Sequence, residues 1–154
     1  MWILNISKAS EHDYNIVQEI TVDTINEIYP RYYPMGAVRF FLKHHSPENI
    51  MSDIKGGIVY LLIDNNKAVG TVTIRNNEIC RLFVLPEHQK KGYGGRLIAY
   101  AEKLISESCD SAVLDASLPA KEIYMKKGYS VRNAHSIKTD NGDYLCYDVM
   151  EKPL

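Results

Sequence analysis

The amino-acid sequence predicts an α/β (α+β) fold. One domain over residues 1–154 is expected, built on a mixed, mostly antiparallel seven-stranded sheet with helices on both faces. Three observations predict it. Segments of strand and helix character follow in the order strand, helices, three strands, helix, strand, helix, two strands. The turns Asp64-Asn65-Asn66-Lys67, Asn76-Asn77 and Asp140-Asn141-Gly142-Asp143 join successive strands as hairpins. An apolar strand ending at Pro86 leads through Gly92, Gly94 and Gly95 into an amphipathic helix.

Each element has its own signal. Residues 2–7 read as the first strand. Ser10 and Asp13 have the Ser-x-x-Asp spacing of a capping box. Ile16, Val17, Ile20, Thr24 and Ile28 follow at helical spacing, and Pro30 stops that helix. A second helix over 35–45 carries Val38, Phe41 and Leu42, and Ser46-Pro47 opens a short third one to about Ile54. Gly56-Gly57 breaks the chain. Ile58–Ile63, Ala68–Ile74 and Glu78–Leu85 are the next strands. The helix over 93–107 packs through Leu97, Ala101, Leu104 and Ile105. Ala112–Asp115 is the fifth strand. Pro119–Lys127 is a helix with Pro in its first turn and Gly128 as its stop. Tyr129–Lys138 and Tyr144–Met150 complete the sheet.

Composition narrows the function. The 154 residues suffice for a sizeable core, and 45% hydrophobic with 24% charged residues is ordinary for a globular protein. A net charge of −1 argues against nucleic acid as a partner. No apolar stretch approaches a membrane span, and Met1-Trp2-Ile3-Leu4-Asn5 lacks a basic start followed by an apolar run. A cytoplasmic protein is expected. Cys80, Cys109 and Cys146 are odd in number and widely spaced, so neither disulfides nor a metal site is expected.

The chemistry concentrates at the glycines. Side-chain-free residues let a ligand approach the backbone, and the first amides of a helix have no internal acceptor. Such a helix start suits a phosphate or pyrophosphate. The spacing is neither that of a P-loop nor the Gly-x-Gly-x-x-Gly of a dinucleotide fold. It is Gln89-x-x-Gly92-x-Gly94, which resembles the acetyl-CoA loop of the GCN5-related N-acetyltransferases (the GNAT family). The strand with Val84 and Pro86 before it strengthens the match. A second block, Ala120, Tyr124, Gly128 and Tyr129, resembles that family's Ala-x-x-x-Tyr-x-x-x-Gly-Phe/Tyr pattern. The element order matches as well, so the resemblance covers nearly the whole chain.

The resemblance implies a GNAT-like domain with acetyl-CoA as co-substrate. It further implies an N-acetyltransferase acting on a primary amine of a small molecule or peptide. Backbone amides of Lys91, Gly92, Tyr93, Gly94 and Gly95 would meet the pyrophosphate, with positive charge from Lys90 and Lys91. Gln89 would orient the loop or meet a phosphate. Leu82, Phe83 and Val84 would offer main-chain bonds to the pantetheine arm and acetyl carbonyl. Ser117 stands where many members carry Asn. Tyr124 is the candidate general acid for the leaving thiolate, and Glu78 the candidate base for the amine. Water, His44 or His45 are alternatives to Glu78. The segment with Tyr29, Tyr32, Tyr33, Phe40, Phe41, Arg31, Arg39, His44 and His45 reads either as an acceptor pocket or as plain helix packing. A homodimer is left open. The reading from another class is a non-catalytic acyl-CoA-binding sensor or partner module on the same fold.

Overall fold

The computed structural model describes residues 4–154. Strand β1 is Leu4–Lys8; residues 2 and 3 of the expected first strand lie outside the described residues. The Ser10 amide donates to the Asp13 carboxylate at 2.8 Å, one half of a capping box. A single 3-10 turn then leads into helix α1, Tyr14–Ile28. Its buried Thr21 and Thr24 hydroxyls donate to the carbonyls of Val17 and Ile20, so neither is left unpaired. Helix α2 is Met35–His44 and α3 is Pro47–Lys55. Ser46 caps α3 by accepting the Asn49 amide at 3.2 Å.

Strands β2 (Val59–Asp64), β3 (Lys67–Arg75) and β4 (Glu78–Val84) form the antiparallel meander. Asn65 and Asn66 both adopt positive φ, 49° and 66°, as a two-residue hairpin turn requires. Helix α4 is Tyr93–Ser106, β5 is Ser111–Ala116 and α5 is Lys121–Lys126. Helix α5 starts later than Pro119, because the Ser117 carbonyl first accepts the Ala120 and Lys121 amides in a turn. Strands β6 (Ser130–Lys138) and β7 (Tyr144–Pro153) close the chain, β7 running past the expected Met150.

Among the described residues the seven strands lie in the order β1-β2-β3-β4-β5-β7-β6, and only β4 and β5 pair in parallel. Helices α1–α3 bury Val17, Ile20, Ile25, Ile50 and Ile54 with Leu61 and Phe83 on one face. On the other, Leu97, Ile98, Ala101 and Ile105 of α4 pack with Leu62, Val72, Leu114 and Met150. Each Val, Leu, Ile, Phe or Met among them contributes about 1.5–3 kcal/mol on leaving water. Among the described residues no helix is long and apolar enough to cross a membrane.

Two irregularities make room for a site. Thr73 pairs with Cys80 and Thr71 with Phe83, so β4 carries one extra residue. The bulge falls at Arg81, whose φ is 30°. Ile79 packs on the α4 face, but beyond the bulge Arg81 and Phe83 turn to the α1–α3 face. Cys80 and Arg81, though adjacent, both reach that face. The second irregularity is the parting of β4 and β5. Among the described residues their register holds at one pair, Glu78 with Val113, and beyond it the strands diverge.

Candidate active site

A cavity of 590 Å³ fills the gap where β4 and β5 part. Tyr29, Phe41, His45, Glu78, Cys80, Arg81 and Phe83 line it from the α1–α3 side. Leu82, Ala120 and Tyr124, which pack with α4, line it from the other. The opening therefore passes through the sheet, and side chains from both layers meet in one space.

Its polar wall is held by Arg81. The guanidinium donates to Asp53 at 2.9 Å, to Thr73 at 3.0 Å and to His45 Nδ1 at 3.3 Å. Asp53 also accepts from Arg75 at 2.6 Å, so one carboxylate bridges two cations. A charge this buried persists only when fully paired. Removing one partner of such a pair costs about 3–5 kcal/mol. The three bonds also lock the bulge, since they anchor the one residue of β4 at positive φ.

These contacts settle what His45 can do. Burial first, then Arg81 and His44, push its pKa down to about 3. It is neutral, and its Nδ1 already accepts from Arg81. The ring proton then sits on Nε2, which makes His45 a donor and not a base.

Glu78 lines the same wall. Cys80, two residues along β4 on the same face, donates its thiol to Glu78 Oε1 at 3.2 Å. Burial, the Glu78 charge and that bond raise the Cys80 pKa to about 12. A thiol so held is no nucleophile, so acyl transfer through Cys80 is disfavoured. Asp115 faces the cavity from β5, and partial burial with the Glu78 carboxylate raises its pKa. Among the described residues no group of three His, Cys, Asp or Glu side chains is arranged to hold a metal.

Tyr124 reaches the cavity from α5. It is 7% exposed, and its ring meets Tyr129 edge-on at 5.7 Å. Burial first, with Tyr29 adding to it, raises its pKa above the ordinary phenol value, so it stays protonated and can donate. The turn before α5 is pinned from α1–α2: the Leu118 amide donates to the Tyr33 hydroxyl at 2.7 Å. Ser117, next to it, lines the cavity. The aromatic segment divides between two roles. Tyr29, Phe40 and Phe41 line the cavity, Tyr33 packs beneath it, and Tyr32 is half exposed.

The glycine loop lies beyond the end of β4. Gly92 is the N-cap of α4 at φ 85°, and the first intrahelical bond runs from the Arg96 amide to the Gly92 carbonyl at 3.2 Å. The amides of Tyr93, Gly94 and Gly95 thus have no helical acceptor. A Cβ placed on Gly92 or Gly94 would meet nothing within 4 Å, so the space against this backbone is open. Lys90 adopts φ 63° and is exposed, like Lys91. The Tyr93 hydroxyl donates to Asp64, which ties the helix start to the β2–β3 turn.

Gln89 does not face this space. Its side-chain amide donates to the Val84 carbonyl at 3.0 Å, and Thr24 donates to the same oxygen at 3.3 Å. The Leu85 amide bonds Val69 on β3, and Phe83 pairs with Thr71. By the alternation of an antiparallel ladder, Leu82 and Val84 direct their backbone groups to the other edge, toward β5. The expected main-chain role of Phe83 does not fit: its backbone faces β3, and its ring lines the cavity.

Sequence reasoning missed four residues. Arg81 and Asp115 were legible as lone charges in apolar strands, which call for partners or a cavity. Asp53 carries no local sign. Lys127 ends α5, and its ammonium lies 3.1 Å from where a Cβ on Gly95 would stand, beside the α4 N-terminus.

Residues 28–142 match the family model described as the acetyltransferase (GNAT) domain. No curated protein matches the chain by sequence. Solved structures share the fold. A GCN5-related N-acetyltransferase structure from Rhodopseudomonas palustris aligns at TM-score 0.88 with 20% identity, over 97% of this chain and 95% of that one. The PaiA N-acetyltransferase of Thermoplasma acidophilum, solved in complex with coenzyme A, aligns at TM-score 0.78 with 21% identity over 99% of both chains. YncA from Salmonella typhimurium, solved with its cofactor acetyl-CoA, aligns at TM-score 0.75 with 14% identity, over 99% and 94%. With the split strands, the open helix start and the match over residues 28–142 together, this chain belongs to the GNAT acetyltransferase family.

Proposed function

We propose that the chain is an acetyl-CoA-dependent N-acetyltransferase, one catalytic domain over residues 1–154. It moves an acetyl group to the primary amine of a small molecule or peptide by direct attack on the thioester. The observation that carries this reading is the gap between β4 and β5. It brings a carboxylate, Glu78, and a protonated phenol, Tyr124, into one cavity, with an anion-receptive helix start beyond the end of the same strand.

The residues divide the work. Amides of Lys91, Gly92, Tyr93, Gly94 and Gly95 receive the pyrophosphate of acetyl-CoA, with Lys90, Lys91 and Lys127 supplying charge. Gln89 holds the loop to β4. The amides of Leu82 and Val84, turned toward the gap, bond the pantetheine arm and the acetyl oxygen. A donor aimed at that oxygen stabilises the charge that develops there. Ser117 lies along the arm. Glu78 takes one proton from the bound ammonium, which frees the nitrogen lone pair. The C–N bond forms, the C–S bond breaks, and the second amine proton ends on sulfur by way of Tyr124. With its pKa raised, Tyr124 serves best as a hydrogen-bond donor that regains its proton at once. The inert Cys80 thiol supports direct transfer over an acetyl-cysteine intermediate.

The test is calorimetric titration with acetyl-CoA, coenzyme A and ATP, followed by thiol release over a panel of primary amines. Binding of both coenzyme forms but not ATP, with thiol release, is expected. Binding without release from any amine would identify a non-catalytic acyl-CoA-binding module. No binding would remove the loop assignment.

A further inference from the structure

A second cavity, of 660 Å³, adjoins the first. The two share Phe40 and His44, which sit one turn apart on α2 and stack at 6.2 Å with their planes 7° apart. The α2 side of this second space carries Arg39 and Lys43, also one turn apart. Both are exposed, and neither joins an ion pair among the described residues. Lys43 lies in the last turn of α2, where a cation complements the helix dipole. Arg39 lies mid-helix and has no such reason.

The opposite wall is built and fixed. The β6–β7 turn sits directly on α2, and the Gly36 amide donates to the Asp143 carboxylate at 2.9 Å. Asn141 Nδ2 donates to the same carboxylate at 2.9 Å, and the Thr139 hydroxyl donates to Asn141 at 2.8 Å. No Cβ fits on Gly36 against the Asn141 side chain, so this contact needs glycine. Asp140 lines the space against Arg39 and Lys43.

The two cavities differ in polarity. Asp53, Glu78 and Asp115 outnumber Arg75 and Arg81 in the first. The second is lined by Arg39 and Lys43 against Asp140, and the Asp143 carboxylate behind that wall is already bonded by the Gly36 amide and Asn141. Such a gradient orients a dipolar ligand with its ammonium toward Glu78 and its anion toward α2.

We propose that the second cavity is an anion subsite of the acceptor, so that the preferred substrate is a small primary amine bearing a carboxylate or phosphate several bonds from the nitrogen. This rests on the N-acetyltransferase reading. A carboxylate directly beside the amine would be carried in among Glu78 and Asp115 and is disfavoured. Phe40 and His44 provide the flat surface along which the linking chain lies.

The test measures binding to the coenzyme A-saturated protein, which does not require turnover. 6-Aminohexanoate, the monophosphate of 6-aminohexanol, hexylamine and 1,6-diaminohexane are titrated in turn. The two anionic amines should bind about tenfold more tightly than hexylamine at low salt, a preference that shrinks at high salt. The double substitution Arg39→Gln with Lys43→Gln should abolish the preference for the anionic amines and leave hexylamine binding, which depends much less on this wall, within about twofold. Both positions are exposed, so the fold should survive, and coenzyme A affinity checks this. Tighter phosphate than carboxylate binding would narrow the anion within the proposal. Equal binding of all four amines, a preference for the diamine, or the same loss for every amine on substitution would overturn it. Absence of thiol release with binding intact would defeat the enzymatic reading while leaving the subsite standing.

Discussion

The glycine loop and the β4–β5 cavity make chemistry in opposite ways. The loop works through backbone, in one short run from Gln89 to Gly95, where side chains would intrude. The cavity works through side chains gathered from α2, α3, β3, β4, β5, α5, β6 and β7, and from Tyr29 in the turn after α1. A backbone site depends on local conformation, so one wrong side chain closes it. A side-chain site depends on tertiary packing, so its members fail one function at a time.

The sharpest way to break this contrast is Gly94→Glu. A Cβ there meets no neighbour within 4 Å, so the folded state should keep its thermal midpoint. Bulk and negative charge would nonetheless occupy the space before three unpaired amides. Coenzyme A affinity should fall by about a hundredfold or more, since both steric access and electrostatics are lost. Unchanged affinity by calorimetry would mean that the loop is a bare turn.

The same contrast decides what could be read from sequence. The loop was legible because strand, glycines and helix are contiguous, and their conformation follows from residue type. The hairpins were legible for that reason too: Asn65 and Asn66 take the left-handed turn their identity favours. The bulge was not. Nothing local says that Arg81 flips to the α1–α3 face, because that depends on Asp53 and His45, which arrive from α3 and the end of α2. Likewise Phe83 looked like a main-chain donor until the register with Thr71 fixed its backbone toward β3. Lys127 was invisible because its proximity to Gly95 is created only by packing α5 beside α4.

Within the cavity, Glu78→Gln should produce the next largest effect. Without a base, only the free-amine fraction attacks, about one part in a thousand near neutrality for an amine of pKa about 10.4. Thiol release at neutral pH should fall about a hundredfold and recover as pH climbs toward 10. Acetyl-CoA affinity should hold. A profile parallel to that of the parent enzyme at every pH would assign the proton to water or His44, since His45 presents no free ring lone pair.

Tyr124→Phe should be milder, about tenfold to a hundredfold in kcat, with acetyl-CoA affinity within about twofold. The ring fills the same space against Tyr129, so packing is retained and the hydroxyl alone is tested. A loss of affinity with kcat unchanged would make Tyr124 a wall of the cofactor channel and move it from the side-chain chemistry to the packing.

Lys127→Ala gives the smallest expected effect and asks whether the two regions are independent. Lys127 is the C-cap residue of α5, the helix that carries Tyr124, yet its ammonium stands at the backbone site. An exposed cation near a helix N-terminus and a phosphate contributes a screened attraction of about 0.3–1 kcal/mol, so coenzyme A should bind roughly twofold to fivefold more weakly. The deficit should vanish at high salt, where the Debye length drops to about 3 Å. If kcat falls along with affinity at low salt, the pyrophosphate fixes α5 and thereby Tyr124, and the loop and the cavity act as one unit. If affinity alone falls, they are separable. No change at low salt would leave the cradle to the amides of α4 and the lysines of its own loop.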